Sequence, residues 1–256
     1  MSPSANGTGR TGKSIVKQTG LTVLQRLRLE DRARHLLQVR TRHGRRAARD
    51  DRNMALFMAS ILAPDACCVD VGAHKGWILQ EMVRLAPLGK HMAFEPIPEL
   101  AAKLAVEFPA VDVNGVALSD EEGEAAFQVA EEREQSGLEQ RGWLKTGYEA
   151  VTVPVRRLDD LVPPGRRVDF LKIDVEGAQG KVLLGSRRVL TECHPPIWFE
   201  HGERSAGVYG TTTSEIWELL TELGYRVWTA DGDGPLSRLE MEAANDMPMW
   251  TYMAHV

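Results

Sequence analysis

The chain has 256 residues, 43% of them hydrophobic and 26% charged, which suits one globular α/β domain with an appendage. No apolar run approaches the roughly 20 residues that cross a bilayer, the first residues lack the apolar core of a secretory signal, and three cysteines make neither a disulfide framework nor a zinc-type ligand set. The expectation is a cytoplasmic protein without membrane insertion.

The formal charge of −5 hides a division: residues 1–52 hold 13 Lys and Arg against 4 Asp and Glu, and the remainder is acidic. Residues 1–19, rich in Gly, Ser and Thr, read as a flexible tail. Residues 20–62 read as a basic helical extension, with helices over about 20–40 and 45–62 that stop before Pro64. Three roles compete for this arm: nucleic-acid binding, docking on an acidic face of the chain or of a second copy, and a solvated extension. Leu24, Leu27, Leu36 and Leu37 recur at helical spacing, and no aromatic residues are interleaved for base stacking, so nucleic acid is the least favoured. A basic arm on an acidic body points to a homodimer.

From 63 to 256 the pattern alternates strand and helix. Strands are expected at 66–71, 91–95, 111–118, 124–129, 151–156, 168–174, 196–200, 225–229 and 250–254. Helices are expected at about 76–86, 98–108, 177–190 and 213–223, with a helical turn at 158–161. This alternation predicts a mostly parallel sheet with helices on both faces. Ligands of such sheets bind outside the carboxyl ends of the strands, where Asp70, Glu95, Asp174 and Glu200 all fall. The polar stretch 130–150, with Ser136, Trp143 and Tyr148, reads as a loop or lid beside the site.

The most informative stretch is Val69-Asp70-Val71-Gly72-Ala73-His74-Lys75-Gly76, a strand that becomes a helix through a glycine turn. Gly72 and Gly76 let backbone approach a ligand closely, and the helix start offers unpaired N–H groups. A dinucleotide pyrophosphate needs Gly-x-Gly-x-x-Gly, and here His74 stands where the middle glycine belongs. Asp70 would repel a phosphate and attract an ammonium group. A second acid, Glu95 of Ala93-Phe94-Glu95-Pro96, ends the next strand about 20 residues on, the place of a ribose-binding carboxylate. S-adenosylmethionine, with its ammonium, sulfonium and ribose hydroxyls, matches both acids. The competing readings are a purely structural turn followed by a surface Glu, and an NAD(P)-dependent oxidoreductase, which the missing glycines and Asp70 disfavour.

These blocks, together with Val116-Ala117-Leu118-Ser119-Asp120, Leu158-Asp159-Asp160-Leu161 and Leu171-Lys172-Ile173-Asp174-Val175-Glu176-Gly177 and the strand ending in Glu200, resemble the FkbM family of class I methyltransferases over about residues 54–230. The resemblance implies a Rossmann-like class I methyltransferase fold with a seven-stranded sheet, so that 63–256 is the S-adenosylmethionine-dependent domain. It implies that Asp70 and Gly72 line the methionine part of S-adenosylmethionine. Glu95 would hold the ribose, Ala117, Leu118 and Ser119 would lie near the adenine, and Asp174 would sit beside the sulfonium. His74, Gly76 and Pro96 complete the expected cofactor set; the family commonly has Asn at the position of His74. FkbM-like enzymes are mainly O-methyltransferases of natural products and sugars.

O-methylation requires a base, because an alcohol is a poor nucleophile at neutral pH. Asp174, Glu176, Glu200 and His201 are the candidates. Strand alternation starts Asp174 and Glu176 on one side of the chain, where adjacent carboxylates with Glu200 would recruit Mg²⁺. The alternative is that Glu176 caps the following helix. Lys172 is expected to point to the opposite side from its neighbours and to pair with an acid. Ser136, Trp143 and Tyr148 are the expected substrate-side residues, since flat aromatic faces suit a sugar ring or a planar polyketide. The expected acceptor is a carbohydrate hydroxyl, with a polyketide or macrolide as the alternative.

Overall fold

A computed structural model describes residues 42–130, 136–138, 148–244 and 250–256. The chain divides between Arg52 and Asn53 into two units. Helix α1 (Arg42–Ile61) runs through this point. In the first unit it carries an Arg46–Asp50 ion pair of 3.6 Å across one turn. The expected tail and the helix over 20–40 lie outside the described residues.

Within the second unit, short apolar runs bounded by turn residues build a seven-stranded sheet in the order β3-β2-β1-β7-β8-β10-β9. These are β1 (Cys68–Val71), β2 (Met92–Phe94), β3 (Asp112–Asn114), β7 (Phe170–Ile173), β8 (Ile197–His201), β9 (Arg226–Thr229) and β10 (Trp250–His255). All pairings are parallel except those of β10, which runs antiparallel to both neighbours. This is the doubly wound architecture that the alternating pattern predicts.

The period-2 alternation of the strands sorts the core into two layers. Val69, Val71, Phe94, Leu171, Ile173, Ile197 and Phe199 face one side, with Leu183, Leu190, Ile216 and Leu220 from the helices there. Cys68, Ala93, Phe170 and Trp198 face the other, against Met54, Met58, Leu79, Met82 and Leu104. The first layer is covered by α5 (Gln179–Leu184), α6 (Arg187–Cys193) and α8 (Thr213–Glu222); the second by residues 53–61 of α1, α2 (Trp77–Leu85) and α3 (Pro98–Glu107). Helix α8 starts on a capping box between Thr212 and Glu215.

Three expectations are corrected. The strand expected over 111–118 splits at Gly115-Val116: β3 closes the main sheet, while β4 (Ala117–Leu118) crosses to a second one. There β4 pairs in parallel with β6 (Tyr148–Arg156), which pairs antiparallel with β5 (Gly123–Ala130), so these strands are not part of the main sheet. The helix expected over 177–190 is two, because the chain turns at Gly185-Ser186, where a Cβ on Gly185 would lie 2.0 Å from Ser119 O. Two short helices, α7 (Glu203–Val208) and α9 (Arg238–Ala244), had no clear apolar period to announce them. The predicted turn at 158–161 is α4 (Leu158–Leu161). Among the described residues no helix is long and apolar enough to cross a membrane.

Candidate functional site

The chain leaves β1 through a turn that only small or permissive residues can make. Gly72 has a φ of 75°, and a Cβ on it would lie 1.9 Å from the main-chain oxygen of Asp174. The N–H groups of Gly72 and Ala73 both donate to Phe94 O, at 2.9 and 3.1 Å. His74 also takes a left-handed conformation, φ 48°, and its N–H donates to Glu95 Oε2 at 2.7 Å. Gly76 stands at the start of α2, where a Cβ would lie 2.6 Å from Leu104 Cδ2. The turn is thus tied to β2 by backbone hydrogen bonds and by the Glu95 carboxylate, and it packs closely on the backbone after β7.

Glu95 ends β2 with its other oxygen, Oε1, accepting the N–H of Ile97 at 2.9 Å. Each oxygen keeps a further acceptor direction, which is what the vicinal hydroxyls of a ribose require. Glu95 is nearly buried; burial raises its pKa, and the N–H donors and Lys172 oppose the rise. Pro96 follows, half-buried.

Asp70 and Lys172 are in-register neighbours on β1 and β7, and both are buried. Lys172 Nζ lies 3.1 Å from Asp70 Oδ1 and 3.6 Å from Asp174 Oδ2, and donates to Gly72 O at 2.8 Å. Burial raises the Asp70 pKa, and Lys172 opposes that rise. Burial would lower the Lys172 pKa, but Asp70, Asp174 and Glu200 outweigh it and raise it. With three acids around one ammonium, the Asp70–Lys172 contact is an ion pair. Asp174, directly after β7, donates its N–H to Val71 O at 3.0 Å, and its side chain is partly exposed.

The remaining predicted residues do not all gather here. Glu176 has a φ of 55° in the turn after β7, so the strand alternation meant to align it with Asp174 has already ended. Glu200 and His201 are consecutive on β8 and so face opposite sides of the sheet. Glu200 is among the acids that act on Lys172. The Mg²⁺ set of Asp174, Glu176 and Glu200 does not form a cluster: among the described residues no group of three or more His, Cys, Asp or Glu is placed to hold a metal ion. Asp174 and Glu200 have Lys172 as their nearby cation instead. His201 is fully buried against Tyr252, with ring centroids 6.4 Å apart. Its Nε2 lies 2.8 Å from Thr213 Oγ1, whose hydroxyl donates to Glu203 Oε2. Burial lowers its pKa to about 4, with Glu203 opposing. No surface of the His201 ring is open to an acceptor.

Ala117 and Leu118 form β4, and Ser119, buried beside them, packs its carbonyl against Gly185. Ser136 is buried next to Gly137, which exchanges hydrogen bonds with Gln128 of β5 at 2.7 and 3.0 Å. Trp143 and the Tyr148 side chain lie outside the described residues. Two features went unassigned in the sequence. Lys172 occupies a junction rather than a single pair; the signal was a lone ammonium in the buried run Phe170-Leu171-Lys172-Ile173. Tyr209 packs against Gly177, where a Cβ would come 3.0 Å from Tyr209 Cε2; nothing local in the sequence marks that contact.

A doubly wound sheet, a glycine turn without a phosphate-binding pattern, and the acids Glu95 and Asp174 after β2 and β7 suit a ribose-bearing cofactor, whereas Asp70, expected to face the methionine part, is fully buried against Lys172. These are the features of the Rossmann-like class I methyltransferase fold. Residues 70–227 match the family model described as Methyltransferase FkbM domain, more than half of the chain, and the chain belongs to that family. It is 28% identical over 208 residues to the AMB antimetabolite synthetase AmbE of Pseudomonas aeruginosa, a match spanning 65% of this chain and 10% of that protein. It is 28% identical over 148 residues to the 2-O-methyltransferase NoeI of Sinorhizobium fredii, spanning 50% of this chain and 60% of that one. The chain therefore covers less than two thirds of either relative. Among solved structures, a methyltransferase FkbM from Methylobacillus flagellatus KT aligns with a TM-score of 0.46 at 14% identity, over 75% of this chain and 44% of that one.

Proposed function

We propose that the protein transfers a methyl group to a hydroxyl oxygen of a carbohydrate, a sugar or an oligosaccharide. The observation that carries the reading of O-methylation is Asp174: a partly exposed carboxylate at the carboxyl end of β7, with Lys172 3.6 Å behind it. The similarity to a protein named a 2-O-methyltransferase supports the same class of acceptor atom. The carbohydrate assignment rests on the sequence, in which Trp143 and Tyr148 offer flat faces in a polar stretch. A polyketide or macrolide acceptor is the second reading, because the same flat aromatic faces suit a planar polyketide.

On this reading Glu95 holds the ribose hydroxyls, the Gly72 turn faces the methionine part, and Ala117 to Ser119 flank the adenine. When bound, S-adenosylmethionine supplies a methyl carbon on a positive sulfur, which leaves as a neutral thioether. Asp174 accepts the hydroxyl proton as the acceptor oxygen bonds to that carbon, and later releases it to water. A positioned base contributes about 10²–10⁴-fold, and alignment of the two reactants supplies the larger share.

The test uses the full chain with S-adenosylmethionine labelled with ¹³C in its methyl group and a panel of glycans, macrolides and amines. The expected product is a methoxy group on a glycan. Transfer to nitrogen, or to no hydroxyl at all by protein that binds S-adenosylhomocysteine, contradicts the proposal. Transfer to macrolides alone selects the second reading.

A further inference from the structure

We propose that Lys172 is a positioning residue, whose ammonium fixes the Gly72 turn in the shape that receives the methionine end of the cofactor. The inference rests on the reading that this turn faces the methionine part; it does not depend on the identity of the acceptor.

The Lys172 ammonium donates to Gly72 O at 2.8 Å and to Val71 O at 3.5 Å, and it lies at ion-pair distance from Asp70 Oδ1, 3.1 Å, and Asp174 Oδ2, 3.6 Å. The Gly72–Ala73 peptide plane is therefore held from both sides: its carbonyl accepts from Lys172, and its N–H donates to Phe94 O at 3.1 Å. With the left-handed φ of 75° at Gly72, that plane sets where the next residues of the turn point. The same ammonium pulls Asp174, which ends the adjacent strand, toward the turn. One side chain thus ties together the internal acid of β1, the turn after it and the acid after β7.

Stability alone does not account for this arrangement. A buried ion pair can often be replaced by packed apolar side chains at no loss of stability, and the strand around Lys172 is apolar: Phe170, Leu171 and Ile173 are all buried. An apolar residue at 172 would leave the Gly72 carbonyl without its donor. The consequence falls on the shape of the turn.

The test is calorimetric titration of the full chain with two ligands. S-adenosylhomocysteine carries the amino-acid part, and 5′-methylthioadenosine lacks it. The proteins are the wild type, Lys172→Met, and the double variant Asp70→Asn with Lys172→Met, which leaves no unpaired carboxylate at position 70. Wild type should bind S-adenosylhomocysteine more tightly than methylthioadenosine. In the double variant the affinity for S-adenosylhomocysteine should fall about 10- to 100-fold, the loss of a hydrogen bond from a charged donor, while that for methylthioadenosine stays within about twofold. Wild-type affinity for S-adenosylhomocysteine in the double variant overturns the proposal. So does an equal loss for both ligands, which would make Lys172 a general support of the fold. Equal affinity of the wild type for the two ligands instead removes the assignment of the turn to the methionine part, and the proposal with it. Asp70→Asn alone is the control: a loss in it equal to that of the double variant assigns the effect to the carboxylate and overturns the proposal, and a smaller loss supports it.

Discussion

The α-carbon of Gly72 faces the main-chain oxygen of Asp174 so closely that a Cβ there would lie 1.9 Å away. The turn after β1 and the turn after β7 are therefore packed backbone to backbone, and the left-handed φ of 75° adds its own demand for glycine. Gly72→Ala should lose about 2–4 kcal/mol of stability, the sum of backbone strain and a displaced neighbour. Urea unfolding of the variant checks this; an unchanged midpoint would mean that the two turns separate easily.

Glu95 receives two N–H donors, from His74 at 2.7 Å and Ile97 at 2.9 Å. Glu95→Gln turns an amide NH₂ toward one of them and leaves a donor facing a donor. We expect at least about tenfold weaker binding of S-adenosylhomocysteine, since charge-assisted bonds are roughly twice as strong as neutral ones. Calorimetry is the measurement. Undiminished affinity would place the ribose elsewhere.

Asp174→Asn keeps the shape of the side chain and removes its basicity. Turnover with the acceptor identified from the panel should fall about 10²–10⁴-fold, while S-adenosylhomocysteine still binds within about threefold of wild type. A variant that turns over at the wild-type rate takes Asp174 out of the proton path and leaves Glu200 as the next carboxylate to examine.

His201 gives the protein a specific weakness to acid. Burial lowers its pKa in the folded state from 6.5 to about 4, so the unfolded chain takes up the proton first. The stabilisation is full above about pH 6.5 and is lost as pH falls toward about 4, amounting to about 3 kcal/mol. His91 is also lowered by burial and contributes in the same direction. The comparison is therefore between wild type and His201→Gln. The variant should lose less stability between pH 7 and pH 4.5 in urea titrations, and parallel losses would assign the effect to other groups.

Much of this arrangement was legible in the chain because the strands are short, apolar and bounded by glycine and acid. β1, β2, β7 and β8 lie within two residues of where alternation places them, and that fixes Asp70, Glu95 and Asp174 at the carboxyl edge. The misreadings came where local pattern has no say. Val111 to Leu118 reads as one strand, yet Gly115 and Val116 carry it between two sheets. Glu176 was assigned by strand alternation, but a left-handed φ of 55° ends that alternation first. His201 follows Glu200 directly, and the pleat puts the two on opposite faces. The role of Lys172 depends on Gly72, 100 residues earlier, and no window along the chain contains both.

The Asp70–Lys172 pair also constrains how this chain can change over generations. Removing one member of a buried pair costs about 3–5 kcal/mol, against a total stability of about 5–15 kcal/mol for a typical domain. A lineage that loses either charge first passes through a protein close to collapse. Under selection for folding alone the two codons, 102 positions apart, drift together or stay fixed, and a library randomised at both sites and selected for folding should return survivors that keep both charges or neither.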